Sequence, residues 1–160
     1  MTLHTLFNID PYQWSSIGTA ILCGTIVGLE RQLRGKPVGI RTSALITLGT
    51  YLFLATSFLL KGNINDPSRV VGQIITGIGF LGAGVMMTKD GAVMGVTSAA
   101  TIWVLAAIGI MIATDHHEAA IKVSILVVII LYGASLLEEH TKAFSRGVHA
   151  TVKKYSRSGK

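Results

Sequence analysis

Charge is scarce in this sequence. Only 14% of its 160 residues are Asp, Glu, Lys or Arg, where a soluble domain carries roughly a quarter. That shortfall excludes an ordinary water-solvated surface and points to a chain surrounded mostly by lipid. Cysteine is nearly missing too. Cys23 is the single one, so an intramolecular disulfide is excluded and the residue reads as a small hydrophobe inside an apolar run. The stretch Met1 to Asp10 has no Lys or Arg. A cleaved signal peptide needs a positive start, so the first apolar run is expected to be retained as a helix.

Catalytic signatures are missing as well. No paired carboxylates, Ser-His-Asp, Cys-His or phosphate-loop arrangement stands out. The spacing Gly77-Ile78-Gly79-Phe80-Leu81-Gly82 fits a dinucleotide fingerprint, but it lacks the strand–turn–helix setting that makes the motif work. His116 and His117, between Asp115 and Glu118, are adjacent and do not share a helical face. They read as a solvated loop rather than a metal site. The expectation is a chain that is not an enzyme, with no cofactor and no metal.

What is present is apolar: 50% of residues are hydrophobic, in five runs. These are Trp14 to Leu29, Thr42 to Leu60, Val70 to Met87, Thr97 to Ala113 and Ala119 to Leu137. Each approaches the length that crosses a bilayer as a helix. Breakers separate them: Gly35-Lys36-Pro37, Gly62-Asn63 through Asp66-Pro67, and Lys89-Asp90-Gly91. The fifth run carries Lys122 one turn in, where a long side chain can reach the interface. The fold class expected is all-α: a polytopic transmembrane bundle of about five helices over residues 1–137. A short basic tail follows at 138–160, its structure left open by the sequence.

The formal net charge of +6 is placed beside the apolar runs, which is how membrane topology is encoded, not nucleic-acid binding. With five spans, one side collects eleven Lys and Arg residues. They are Arg31, Arg34, Lys36, Arg41, Lys89 and six in the tail. The other side has three: Lys61, Arg69 and Lys122. The positive-inside rule then puts the N-terminus outside and the tail in the cytoplasm. The halves show no inverted repeat, which weakens a transporter reading built on one.

The third run is unusually rich in glycine. At helical spacing, Gly72, Thr76, Gly79 and Ala83 form one small stripe, and Gln73, Gly77 and Gly84 another, with Gly82 close by. Ile74, Ile78, Leu81 and Val85 form the large face. Small residues let membrane helices approach closely, so the expectation is a helix inside the bundle with its large face toward lipid. The sharper alternative is a broken helix exposing carbonyls to a substrate path. Gly24 and Gly28 repeat the small spacing in the first run, and Thr97, Ser98, Ala99, Ala100 and Thr101 open the fourth with another small surface.

Charges at the boundaries follow. Glu30 and Arg31 close the first helix, and Arg41 and Thr42 open the second. A Glu at that depth needs a cation, with Arg41 or Lys36 the candidates. Asp66 before Pro67 reads as a helix cap. Arg69 follows, and Gln73 one turn later needs a partner or water within the membrane.

Taken in order, these blocks resemble the membrane domain of the MgtC/SapB family. The pattern is Gly24-x-x-x-Gly28-x-Glu30-Arg31, Gly39-x-Arg41-Thr42, then Asp66-x-x-Arg69-x-x-x-Gln73-x-x-x-Gly77-Ile78-Gly79-Phe80-Leu81-Gly82-Ala83-Gly84. It closes with Gly95-x-Thr97-x-Ala99-Ala100-x-x-Trp103-x-x-Ala106-Ala107-x-Gly109. Thr97-Ser98 stands where the family often has two threonines. Larger members add a cytoplasmic ligand-binding-like domain, and here a short basic tail is expected in its place.

The resemblance implies a multi-pass protein of the bacterial inner membrane, linked to low-magnesium growth, stress and virulence. It implies a regulatory role acting on other membrane proteins, ATP synthase among them. Two functions are expected from residues and resemblance together. The first is a non-enzymatic modulator acting by helix packing, as a homo-oligomer (a dimer favoured) or with another membrane protein. Its packing residues are Gly24, Gly28, Gly72, Gly77, Gly79, Gly82, Gly84, Thr97, Ser98 and Trp103. The second is a small channel or transporter for magnesium or another ion, with a site at a dimer interface. Its residues are Glu30, Arg31, Arg41, Thr42, Asp66, Arg69 and Gln73.

Overall fold

A computed structural model describes residues 8–60, 66–89 and 92–140. Five long helices carry the five apolar runs: α1 Trp14–Leu33, α2 Ile40–Leu59, α3 Pro67–Val85, α4 Val96–Ala113 and α5 His117–His140. Between α3 and α4 lies a feature not expected from the sequence. An antiparallel hairpin pairs β1 Met87–Lys89 with β2 Ala92–Met94, setting Met87 opposite Met94 and Thr88 opposite Val93. The third run therefore stops being helical two residues early. Gly95 permits this: at φ 89 it caps α4 in the left-handed region, and its backbone lies against the Val85 carbonyl, where a side chain would not fit.

The helices run up and down. Tyr12, just before α1, bonds the Thr56 hydroxyl near the end of α2 at 2.7 Å. At the other end of this pair, Gly28 meets the backbone of Ile40. Helix α1 thus lies along the whole of α2 and crosses the same depth. On length and composition α2, α3, α4 and α5 are each apolar enough to span a membrane. Helix α1 is as long, but Ser15, Ser16, Glu30 and Arg31 shorten its apolar stretch. Three of those four, Ser16, Glu30 and Arg31, are buried by neighbouring helices.

Two apolar layers form the core. One holds Val27, Ile46, Ile78, Ile102 and Leu105 toward the Glu30 end. The other holds Ala20, Cys23, Tyr51, Ile108 and Ala120 toward the His117 end. Helix α2 is central and touches α1, α3 and α4. It buries a row of small polar residues, Ser43, Thr47, Thr50 and Ser57. Hydroxyls of Ser43, Thr47 and Ser57 donate to the carbonyls of Val38, Ser43 and Leu54. Bonding these three hydroxyls to nearby backbone carbonyls offsets the cost of burying them in an apolar surrounding.

Helix α3 sits at the edge, against α4 and over a smaller area α2. This corrects the expectation of an internal helix. Only Ile78 and Gly82 are buried on it, while Ile74 and Val85 pack against the core. Most of the large face turns inward and most of the small face outward, although Leu81 does point out, 53% exposed. Large side chains gain more contact in a close-packed interior than small ones, and lipid accepts a glycine surface without penalty from water. The helix is continuous from Pro67 to Val85. At the far end, α5 runs on to His140 and so takes in the first three residues of the expected tail. Residues from 141 onward lie outside the described part, as do Gly62, Asn63, Asp90 and Gly91 of the expected loops.

Candidate functional site

The last turn of α1 assembles a buried charge cluster. Arg31 Nε donates to Glu30 Oε2 at 2.7 Å, and its Nη2 donates to Oε1 at 3.2 Å. Arg34 Nε reaches Glu30 Oε1 at 2.8 Å from the next turn. The Arg34 guanidinium lies over the ring of Tyr132 on α5, 4.9 Å from its centre. Glu30 and Arg31 retain 8% and 3% of their surface. One carboxylate serves two guanidiniums, so the cluster keeps a formal positive charge. Both cations also lie at the helix end where the macrodipole favours them.

The expected partners of Glu30 were Arg41 or Lys36. The structure gives Arg31 and Arg34 instead. Arg41, Thr42 and Lys36 are exposed. The helix turn explains the outcome, because Arg34 is four residues from Glu30 and one turn above it. That spacing was legible in the sequence; the stacking on Tyr132 was not, because α1 and α5 are far apart in the chain.

The candidate ion residues do not converge. Asp66, Arg69 and Gln73 belong to the first turns of α3, and up-and-down topology places them at the opposite end from Glu30, Arg31 and Arg41. All three are exposed. Asp66 caps α3: its Oδ1 accepts the Ser68 backbone N–H at 2.9 Å. Hydrogen bonds from the side chain and backbone of Ser68 hold the Asp66 carboxyl below its usual range, with a smaller contribution from Arg69.

The glycines divide into two groups. Gly24 and Gly28 lie against the backbones of Ala44 and Ile40, at distances that leave no room for a Cβ. Gly109 lies likewise against Thr47 and Thr50; it was noticed in the sequence only as part of a family pattern. Gly82 faces Ala99 at ordinary contact distance. Gly72, Gly77, Gly79 and Gly84 meet nothing within 4 Å. Beside them, Phe80 is 79% exposed, and Trp103 and Thr97 on α4 are exposed while Ser98 is buried. Helix α3 thus presents an open, glycine-lined surface that no part of the described chain covers.

At the other end, His117 opens α5 rather than sitting in a loop. Its Nδ1 is 3.2 Å from Thr19 Oγ1 and its Nε2 3.3 Å from Ser16 Oγ, both on α1. The Thr19 hydroxyl already donates to the Ser15 carbonyl. The same Nε2 lies 3.6 Å from Asp115 Oδ1, so the imidazole bridges the start of α5 to both the α4–α5 turn and α1. Among the described residues no group of three or more His, Cys, Asp or Glu side chains is placed to hold a metal ion.

The MgtC family model matches residues 17–140. The chain belongs to the MgtC family. The match takes in all five helices apart from the first three residues of α1. The chain is similar to YhiD of Escherichia coli (strain K12), named provisionally as a magnesium transporter. The two are 42% identical over 119 residues, covering 70% of this chain and 55% of YhiD. It is 38% identical to Protein MgtC of Salmonella typhimurium (strain LT2) over 108 residues, 68% of this chain and 46% of that one. Protein MgtC of Brucella abortus (strain 2308) is 40% identical over 111 residues, with the same shares. The chain spans about half the length of the curated relatives it matches. No solved structure matches it. Family membership and the apolar helices make this MgtC-family chain a multi-pass protein of the bacterial inner membrane.

Proposed function

We propose that this MgtC-family chain is a non-enzymatic modulator that works by helix–helix association in the bilayer, in the magnesium- and stress-linked setting of its relatives. The observation that carries the reading is the outer face of α3, where Gly72, Gly77, Gly79 and Gly84 stand open. In a bilayer, association is driven by close backbone approach and polar contacts, because lipid is as apolar as the helices. Gln73 adds a polar group to the same helix, exposed at a depth where water is scarce. A second copy, or another membrane protein, would satisfy both.

The test is oligomeric mass in nanodiscs for wild type, Gly77→Leu and Gly84→Leu. Open space around these glycines means that leucine leaves the monomer intact. A dimer lost in the variants supports a homo-oligomer. A monomer throughout, with a growth defect at low magnesium in the variants, points to another membrane protein. Unchanged assembly and unchanged growth in both variants would sink the reading.

A second reading is an ion channel or transporter with a site at a dimer interface. The buried Glu30–Arg31–Arg34 cluster and the name given to YhiD favour it. Liposome flux of magnesium or protons above that of empty liposomes is its signature. Flux equal to empty liposomes removes it.

A further inference from the structure

The hairpin between α3 and α4 has a use that neither helix packing nor the charge cluster supplies. It presents Met86, Met87, Val93, Met94 and Val96, each 40–64% exposed. A lone two-stranded hairpin is marginally stable in water, and these side chains would make it worse. An open two-stranded sheet has outer edges whose backbone groups need partners, so it does not belong in the hydrocarbon core either. Length arithmetic agrees with both limits. Helix α3 has 19 residues, which at 1.5 Å each come to about 28 Å. That nearly uses up a hydrocarbon core about 30 Å thick. The hairpin therefore begins at the boundary between acyl chains and headgroups.

Two observations say what covers it. The nearby turns of α3 and α4 also expose large apolar side chains, Phe80, Leu81 and Trp103. The α1–α2 turn lies at the same end, and the exposed charged side chains described there, Lys36 and Arg41, are both cations. The acidic Glu30 is buried and paired. Apolar side chains that enter a leaflet beside exposed cations are the combination that binds anionic lipid.

We propose that the β1–β2 hairpin is an interfacial foot: Met87 and Met94, paired across the strands on one face, insert at the headgroup–acyl boundary, while Lys36 and Arg41 select anionic phospholipid. Lipid composition would then act on the hairpin that joins α3 to α4. The proposal stands whether or not the glycine face of α3 binds a partner.

The test places an environment-sensitive fluorophore on Met94→Cys, in the whole chain reconstituted in phosphatidylcholine vesicles with and without phosphatidylglycerol. Cys23 is fully buried, so labelling is selective, and far-UV circular dichroism checks that the labelled chain remains folded. The expected result is a blue-shifted probe, quenched by shallow spin-labelled lipid and shielded from iodide. Phosphatidylglycerol should be preferred over phosphatidylcholine. Lys36→Gln and Arg41→Gln should each reduce that preference, by about fivefold per cation. Quenching by iodide and not by lipid would put the hairpin in water. Shielding from both would mean that protein covers it. Either outcome overturns the proposal, and equal association with the two lipids overturns its anionic selectivity.

Discussion

Gly24 lies so close to Ala44 that a Cβ on it would sit 2.5 Å from the Ala44 Cα. The α1–α2 contact is therefore backbone against backbone, and it forms the inner wall of the bundle. Gly84, on the outer face of α3, has nothing within 4 Å. The two glycines should answer the same substitution in opposite ways. Gly24→Ala should cost about 1–3 kcal/mol by overpacking, and so should Gly109→Ala against Thr47 and Thr50. Gly84→Ala should be neutral or stabilise the monomer by about 0.5 kcal/mol. Reversible unfolding in mixed micelles measures all three. A loss at Gly84 equal to that at Gly24 would contradict the edge position of α3.

Removing the charge of Glu30 strands Arg31, which is 3% exposed. Glu30→Gln should therefore destabilise the fold by about 3 kcal/mol, as breaking a buried pair from one side does. Arg34→Gln should cost less, about 1 kcal/mol, because Arg31 still neutralises the carboxylate and Arg34 is partly solvated. The same unfolding assay ranks the two, and equal costs would argue against the pairing described.

Asp66 supplies a pH dependence at the start of α3. Its folded pKa is lowered, so the stabilisation it gives is present above the unfolded value. It is lost as pH falls through the folded one. Amide exchange at Ser68 should accelerate across that acid window. Asp66→Asn should keep a cap that does not titrate. An unchanged acid response in the Asn variant would show that another group is responsible.

His117 joins α5 to α1 through Ser16 and Thr19. His117→Ala should cost about 1 kcal/mol, the net worth of a typical hydrogen bond or two. The loss should be local. Hydrogen exchange should rise in the first turns of α1 and α5 and remain unchanged around Tyr132 at the other end. A uniform rise along α5 would instead indicate loss of packing.

The sequence by itself determined the five long helices of the described residues, their places along the chain and the asymmetry of their flanking charge. Apolar runs of spanning length, broken by Gly, Pro and charge, allow little else. It also determined the Asp66 cap, because Asp-Pro before an apolar run is a local signal, and the Glu30–Arg34 spacing was there to be read. The tertiary structure alone decided which way α3 faces. In water, hydrophobicity tells a helix which side to bury. In a bilayer both sides meet apolar surroundings, and the choice falls to packing against particular neighbours. The same reason hid the role of Gly109, whose partners Thr47 and Thr50 stand far away in the chain. It hid as well the stacking of Arg34 on Tyr132 and the bonds from His117 to α1. Each is a contact between helices, fixed only once all five have found their places.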